Sequence, residues 1–395
     1  MRRAGSPLHV YAHLPICRTR CPYCDFSVTV GEPDTQQRFV DGLRAEMNAR
    51  QRHWEGRRPD SLYVGGGTPS VASAEALDRL VDDIEAAFGE FSEVTVEANP
   101  EDVLDDAAWA GRLPQSVDRV ILGVQSFDDE VLRRIGRRHD ADASRASIEW
   151  VAEAGASVGV DLLFGIPGQS LTDWESELDA LGSLVDSVDL ISGWELSWDQ
   201  FEPPEAFHSV IEDVGARPST GVRRSMLDSL DAFASEHGLE KREVGVYARP
   251  GIRRRYMEGR RRGHECLGLG PGAHGLALSE HGIFQQSRVA DPGAYLDDPT
   301  GRPDTSELSP REFLFVRICQ GLELTDGLSV AGLHEQFDSA FGSDRIEKIT
   351  DELLKRAPDL VECTSEDGRA RLVPTPTGLA SSDRVATQVA ALIPS

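Results

Sequence analysis

Cys17, Cys21 and Cys24 fall within His-Leu-Pro-Ile-Cys-Arg-Thr-Arg-Cys-Pro-Tyr-Cys-Asp-Phe, a C-x₃-C-x₂-C spacing with an aromatic residue just before the third thiol. Three thiolates this close can hold three corners of a cubane [4Fe–4S] cluster and leave the fourth iron open. An open iron can chelate a small molecule through an amine and a carboxylate. Zinc is the competing use, but a structural zinc site needs four ligands, and the nearest additional one is His13. No second CxxC pair completes such a site. A disulfide framework fits less well, because three neighbouring thiols are an odd number and no secretory signal core precedes them. The apolar stretch Leu8–Ile16 is interrupted by His9, His13 and Pro15. Cys266, Cys319 and Cys363 are scattered and read as ordinary buried or half-buried thiols.

Further polar residues recur after short apolar runs. Gly65-Gly66-Gly67-Thr68-Pro69-Ser70 is a turn whose glycines let the backbone approach a ligand closely and offer main-chain donors and acceptors. Glu97 lies in Val-Glu-Ala-Asn-Pro, Gln125 closes Leu-Gly-Val-Gln, Arg137 follows in Ile-Gly-Arg-Arg-His, and Asp161 opens Asp-Leu-Leu-Phe-Gly-Ile-Pro-Gly-Gln. Taken singly, each reads as a solvated strand-end residue. Together they form a set in which carboxylates pair with a cation or with ribose hydroxyls and an arginine pairs with a carboxylate tail. Tyr11, six residues before Cys17, is placed either to flank this set or to fill a core.

The elements that must position these groups are legible as alternation. Leu8–His13, Ser61–Val64, Glu93–Glu97, Arg119–Val124, Gly159–Phe164 and Leu190–Leu196 are short Val/Ile/Leu-rich runs, the pattern of buried parallel strands. Thr35–Arg50, Ala74–Phe88, Ala141–Ala154 and Leu171–Leu184 have helical periodicity, with Ser73 as an N-cap. Six β–α repeats build either a doubly wound sheet or a partial TIM-type barrel. Cys17, Gly65–Gly67, Glu97, Gln125 and Gly165 all sit at or just after strand ends, where a barrel gathers them on one rim. The fold class expected is therefore α/β, a partial (β/α)₆ TIM-type barrel over residues 1–197. A connecting region with an Arg-rich loop is expected over 198–308. A helical, winged-helix-like domain follows over 309–395, with helices at Arg311–Gln320 and Asp344–Arg356 and a hairpin at Val361–Thr375.

Composition sets outer limits. The 395 residues carry 41 basic and 67 acidic side chains, a formal charge of −26. So acidic a chain is a poor general nucleic-acid binder. No run reaches transmembrane length and no lipidation signal is evident. Clustered, otherwise sparse cysteines fit a reducing cytoplasm.

In this order, the cysteine triad, Gly-Gly-Gly-Thr-Pro-Ser, Gly-Val-Gln-Ser-Phe, Gly-Ile-Pro-Gly-Gln, Ala-Arg-Pro-Gly at 248–251 and Leu-Gly-Leu-Gly-Pro-Gly-Ala-His at 267–274 resemble the radical SAM superfamily. Within it they resemble the branch holding the oxygen-independent coproporphyrinogen III oxidases and the HemW haem chaperones. The resemblance covers nearly the whole chain. It implies a [4Fe–4S] cluster on Cys17, Cys21 and Cys24. It also implies S-adenosylmethionine held by Tyr11, Gly66, Gly67, Thr68, Glu97, Gln125, Arg137 and Asp161. Oxidases of this branch carry a further cysteine where this chain has Phe26, and the Cys-Asp-Phe ending is that of the chaperones. The expected function is haem binding and delivery to an acceptor protein, with flavodoxin or ferredoxin as electron donor. The alternative is porphyrin biosynthesis, in which SAM is cleaved reductively and the resulting 5′-deoxyadenosyl radical starts decarboxylation of propionates.

A second marker departs from the chaperones, which carry His-Asn-x-x-Tyr-Trp where this chain has Tyr256-Met257-Glu258-Gly259-Arg260-Arg261. A basic patch of Arg249, Arg253, Arg254, Arg255, Arg260, Arg261 and Arg262 occupies that region. It reads either as a loop balancing nearby acids or as a cradle for anionic propionates through Arg253 and Arg255. Tyr256, Met257 and His264 are the axial ligands on offer to a haem iron.

Overall fold

The computed structural model describes residues 6–31, 33–105, 109, 112–196, 216–279, 281–366 and 368–393. In chain order the strands of the first part are β1 (Pro7–Leu14), the short β2 (Ile16–Cys17) and β3 (Thr29–Val30), β4 (Arg58–Gly66), β5 (Val94–Ala98), β6 (Arg119–Gln125), β7 (Ser157–Phe164) and β8 (Leu190–Glu195). Then come β9 (Glu240–Glu243), β10 (Val246–Ala248), β11 (Glu265–Leu269), β12 (His274–Ser279), β13 (Gly282–Ser287) and β14 (Asp304–Leu308). β1, β4, β5, β6, β7 and β8 lie side by side in parallel, the six-strand core expected from the alternation. The sheet does not stop there. β11 pairs in parallel with the free flank of β1, β12–β14 continue it as an antiparallel meander, and β10 with β9 extends the β8 edge. The polar, mixed sequences of β9 and β12–β14 hid those strands, and β10 is only three residues long.

Each core strand is buried on both faces. On β1, Leu8, Val10, Ala12 and Leu14 join the main core, while His9, Tyr11 and His13 alternate with them. Register carries that alternation across the sheet, with His9 opposite Ser61, Tyr11 opposite Tyr63 and His13 opposite Gly65. The inward residues thus stack in layers. Outside, helices such as Ala74–Phe88 close the β–α units, and Ser73 caps that helix by accepting from the Ala76 N–H at 3.3 Å.

The helix Arg255–Arg261 packs onto the inward face of β1 and β4. Its Tyr256 ring lies 5.7 Å from Tyr11 and 5.1 Å from Tyr63, an aromatic cluster that fills the middle layer. Gly259 makes the approach possible, since a Cβ there would come within 2.1 Å of His9 Nε2.

A second core forms at the C-terminal end, around Phe313, Ile318, Phe337, Ile346, Leu353, Leu372 and Val389. It joins the helices Pro310–Gly321, Val330–Phe341, Ser343–Arg356 and Ser382–Leu392 to a three-stranded sheet of β15 (Leu328–Ser329), β17 (Arg369–Pro374) and β16 (Val361–Glu366), in that spatial order. Ile283 of β13 also enters this core, so the meander is packed on both units and no gap in packing falls at 308–309. Of the 198–308 segment, residues 198–215 lie outside the described residues, including Pro203-Pro204.

Candidate functional site

Strand ends and the loops beyond them surround a cavity of about 890 Å³. Cys17, Cys21 and Cys24 share its wall with Gly66, Gly67, Thr68, Glu97, Gln125, Arg137 and Asp161. Most of the polar residues read from the sequence as one set therefore meet in one place; Gly65, Gly165 and Tyr11 do not line the cavity. The Tyr11 ring sits one layer deeper, its hydroxyl 3.2 Å from His13 Nδ1, and it reaches the cavity only through its neighbour Tyr63.

The glycine turn is fixed by its approach to β1. A Cβ on Gly67 would stand 2.7 Å from the Ile16 carbonyl oxygen, and Gly66 has φ +118° with the His13 ring against it. The Gly66 N–H donates to Glu97 Oε2 (3.1 Å), the Gly67 N–H to the Leu14 carbonyl and the Thr68 N–H to the Ile16 carbonyl (both 2.8 Å). These donors, expected to face a ligand, are consumed within the chain. Carbonyl oxygens remain as the groups with which the turn can meet an amine.

Glu97 is half-buried beneath this turn. It accepts the Tyr63 hydroxyl at 2.7 Å, and burial pushes its pKa up from 4.5 to about 6, with the neighbouring Asp161 adding to the effect. Burial likewise raises Asp161. Gln125 has φ +68°, the one non-glycine residue in the left-handed region among the described residues. Backbone strain of this kind persists where surrounding structure holds it, and it concentrates at functional sites.

A continuous run of donors links two of the cysteines. Thr68 Oγ1–H donates to Cys17 Sγ at 3.4 Å, Asn99 Nδ2 donates to Thr68 Oγ1 at 3.3 Å, and Arg137 Nη2 donates to Asn99 Oδ1 at 2.5 Å. Arg137 Nη1 then donates to Cys21 Sγ at 3.7 Å, while Nη2 also reaches the Gly123 carbonyl at 2.6 Å. Arg18, next to Cys17, donates to the buried Asp102 at 2.6 Å and ties the cysteine loop to the end of β5. Asn99 was within the quoted Glu-Ala-Asn-Pro run, but its role has no signature short of the fold. Tyr63 was hidden inside a strand.

Part of the lining is apolar and aromatic. Phe26 is 59% exposed and Trp194 41% exposed, both on the cavity, joined by Leu163, Leu196 and Met257. Arg20 and Arg138 are exposed cations on the same rim.

Four residues expected at a haem or propionate site are not gathered here. Arg253 pairs with Glu258, and Arg255 with Asp60 at 3.6 Å, so the basic patch is largely matched by acids. Arg254 pairs with Glu243 at 3.6 Å, and Arg261 and Arg262 with Glu323 and Asp326. Tyr256 is buried in the aromatic cluster, where its hydroxyl meets Cys266 Sγ at 3.7 Å. His264 lies at the other end of β1, its Nδ1 3.1 Å from His9 Nε2. Only Arg254 and Met257 from this region reach the cavity.

The donor set fits a multi-iron cluster. Among the described residues no three His, Cys, Asp or Glu side chains converge on one ion. A cubane takes each thiolate on a separate iron, and Cys17, Cys21 and Cys24 all line this cavity. Burial raises the Cys17 thiol to about 11, moderated by the Thr68 hydroxyl, so the thiolate depends on a cation to stabilise it.

A model of the radical SAM superfamily matches residues 11–181. The heme chaperone HemW of Escherichia coli K12 is 29% identical over 371 residues, covering 87% of this chain and 93% of its own. That of Mycobacterium tuberculosis H37Rv is 32% identical over 302 residues, covering 74% of each chain. In structure the chain resembles the coproporphyrinogen III oxidase HemN of E. coli, with a TM-score of 0.76 at 21% identity over 98% of this chain and 91% of that one. Among the described residues no helix is long and apolar enough to cross a membrane. With identity of this extent to HemW proteins, the chain belongs to the HemW family of the radical SAM superfamily.

Proposed function

We propose that this protein is a cytoplasmic haem chaperone, binding haem and handing it to an acceptor protein. The supporting observation is the single cavity whose lining combines three thiols and the polar set Glu97, Gln125, Arg137 and Asp161 with Phe26, Trp194 and Met257. In this reading Cys17, Cys21 and Cys24 hold a [4Fe–4S] cluster. S-adenosylmethionine lies between the glycine-turn carbonyls, Glu97, Gln125 and Asp161. When bound, the two supply one-electron chemistry from a donor such as flavodoxin or ferredoxin. The chain's own part is to orient them: Arg137 and Thr68 steer the sulfurs, and Glu97 presents a carboxylate to a cationic ligand.

In this reading Phe26, Trp194 and Met257 would hold the apolar haem within the cavity, and Arg20 and Arg138 are the exposed cations available to its propionates. The test is a haem titration of the anaerobically reconstituted protein. A saturable Soret shift at micromolar haem is expected, with cluster absorbance that vanishes in a Cys17→Ala, Cys21→Ala, Cys24→Ala variant. A Soret band unchanged on mixing removes the chaperone reading.

A further inference from the structure

A second cavity, of about 360 Å³, opens where β11–β13 meet the helix Pro310–Gly321. It shares no lining residue with the large cavity. Its polar wall is Arg260, His264, His274, Gln285, Gln286 and Gln320. In a chain with 67 acidic side chains, none of the lining residues is Asp or Glu.

Arg260 differs from the other arginines of this region: it is exposed, and its guanidinium bonds the Tyr256 side chain. Arg253, Arg254, Arg255, Arg261 and Arg262 all pair with carboxylates, whereas Arg260 has no carboxylate partner among the described residues. Its guanidinium carbon lies 6.0 Å from the Tyr256 ring centre. Behind the wall Arg317 is 8% exposed and, among the described residues, donates to neutral oxygens, the Arg261 carbonyl at 2.8 Å and Gln336 Oε1 at 3.1 Å. Burying a guanidinium without a counter-charge is costly, and an anion nearby repays it. His264, anchored through Nδ1 on His9, is kept neutral by burial and by the charges of His9 and Arg317, its pKa lowered to about 3.

We infer that this cavity is a binding site for a small carboxylate-bearing molecule, its carboxylate on the Arg260 fork and its remaining polar groups on the glutamine amides. A volume within the roughly 300–1,000 Å³ range of ligand pockets suits a compact molecule. One guanidinium at the wall with no carboxylate partner among the described residues, with no lysine and no glycine-rich turn of backbone donors, matches a single carboxylate better than a phosphate dianion. The site is independent of the cluster cavity.

The test follows the histidine imidazole ¹H–¹³C resonances of the full chain by NMR during titration with glutarate, with benzoate and, separately, with inorganic phosphate. Saturable shifts of His264 and His274 with a carboxylate are expected, with His237 unmoved. Arg260→Gln is expected to weaken binding about tenfold or more, the scale of a lost bidentate contact. Arg260→Lys, which keeps charge without the fork, should fall between. No saturable shift with either carboxylate at millimolar concentration, or equal binding in Arg260→Gln, overturns the proposal. Binding of phosphate alone overturns the carboxylate assignment.

Discussion

Arg137 and Asn99 are joined by a 2.5 Å hydrogen bond from Nη2 to Oδ1, and each continues toward a different cysteine. Arg137 goes on to Cys21 directly and Asn99 to Cys17 through Thr68. Hydrogen bonds to ligand sulfurs tune a cluster's potential, and outer partners fix ligand orientation. Asn99→Ala is therefore expected to retain the cluster while shifting its EPR signal and midpoint potential. In the metal-free chain it costs about 1–2 kcal/mol, since Arg137 keeps the Gly123 carbonyl but loses a charged hydrogen bond. Urea unfolding and EPR of the reconstituted variant check the two halves. An EPR spectrum and potential identical to wild type would detach this relay from the cluster.

Glu97 ties a pH dependence to ligand binding. Its pKa is raised to about 6 from 4.5, so its neutral form is favoured in the folded state. Its contribution to stability is present below about pH 4.5 and is lost as pH rises through about 6. Above that window the folded chain carries a half-buried carboxylate at a cost of about 2 kcal/mol. Glu97→Gln removes the charge and keeps an acceptor for Tyr63, though it sets an amide against the Gly66 N–H. At pH 8 the ligand-free variant should be as stable as wild type or about 1 kcal/mol more stable. S-adenosylmethionine affinity, by contrast, should fall at least about tenfold, the effect of losing one ionic contact. Calorimetric binding and thermal melts at pH 5 and pH 8 separate these outcomes.

Gln125 stores strain at the cavity edge. Its φ of +68° costs a non-glycine residue about 1 kcal/mol or more. Gln125→Gly should raise apo stability by about that much, because glycine adopts this region freely. The same change should weaken S-adenosylmethionine binding, since the side chain lines the cavity. A variant that is neither more stable nor weaker in binding would mean that the strain has no use at this site.

How much was legible follows from periodicity. The six parallel strands could be read because burial on both faces writes continuous apolar runs, and the cysteine, glycine and carboxylate positions could be read because strand ends converge. The Ala74–Phe88 helix was visible to its first residue through the Ser73 cap. The meander β12–β14 was not, because Gln285, Gln286 and Glu307 break the alternation on a half-exposed edge. Nor could the sequence show that the Arg-rich run is a helix against β1 and β4, its charges matched by acids such as Asp60 and Glu243 that are distant in the chain. The displacement of His264 from the cluster end follows from the parallel pairing of Leu8 with Glu265, a register no local pattern encodes.

That same pairing makes Gly259 a stringent position. A methyl there would overlap His9 Nε2 at 2.1 Å, and His9 cannot swing away without breaking its 2.8 Å bond to Ser61 and its contact with His264. Gly259→Ala is expected to destabilise the chain by about 1–3 kcal/mol, the usual range for overpacking, despite alanine's better helix propensity. Adding His9→Ala should recover much of the loss, because the space vacated by the imidazole accepts the methyl. A double-mutant cycle by urea unfolding checks this, with a coupling of about 1 kcal/mol or more expected between the two positions. Simple additivity would show that the helix Arg255–Arg261 does not press on β1 through this contact.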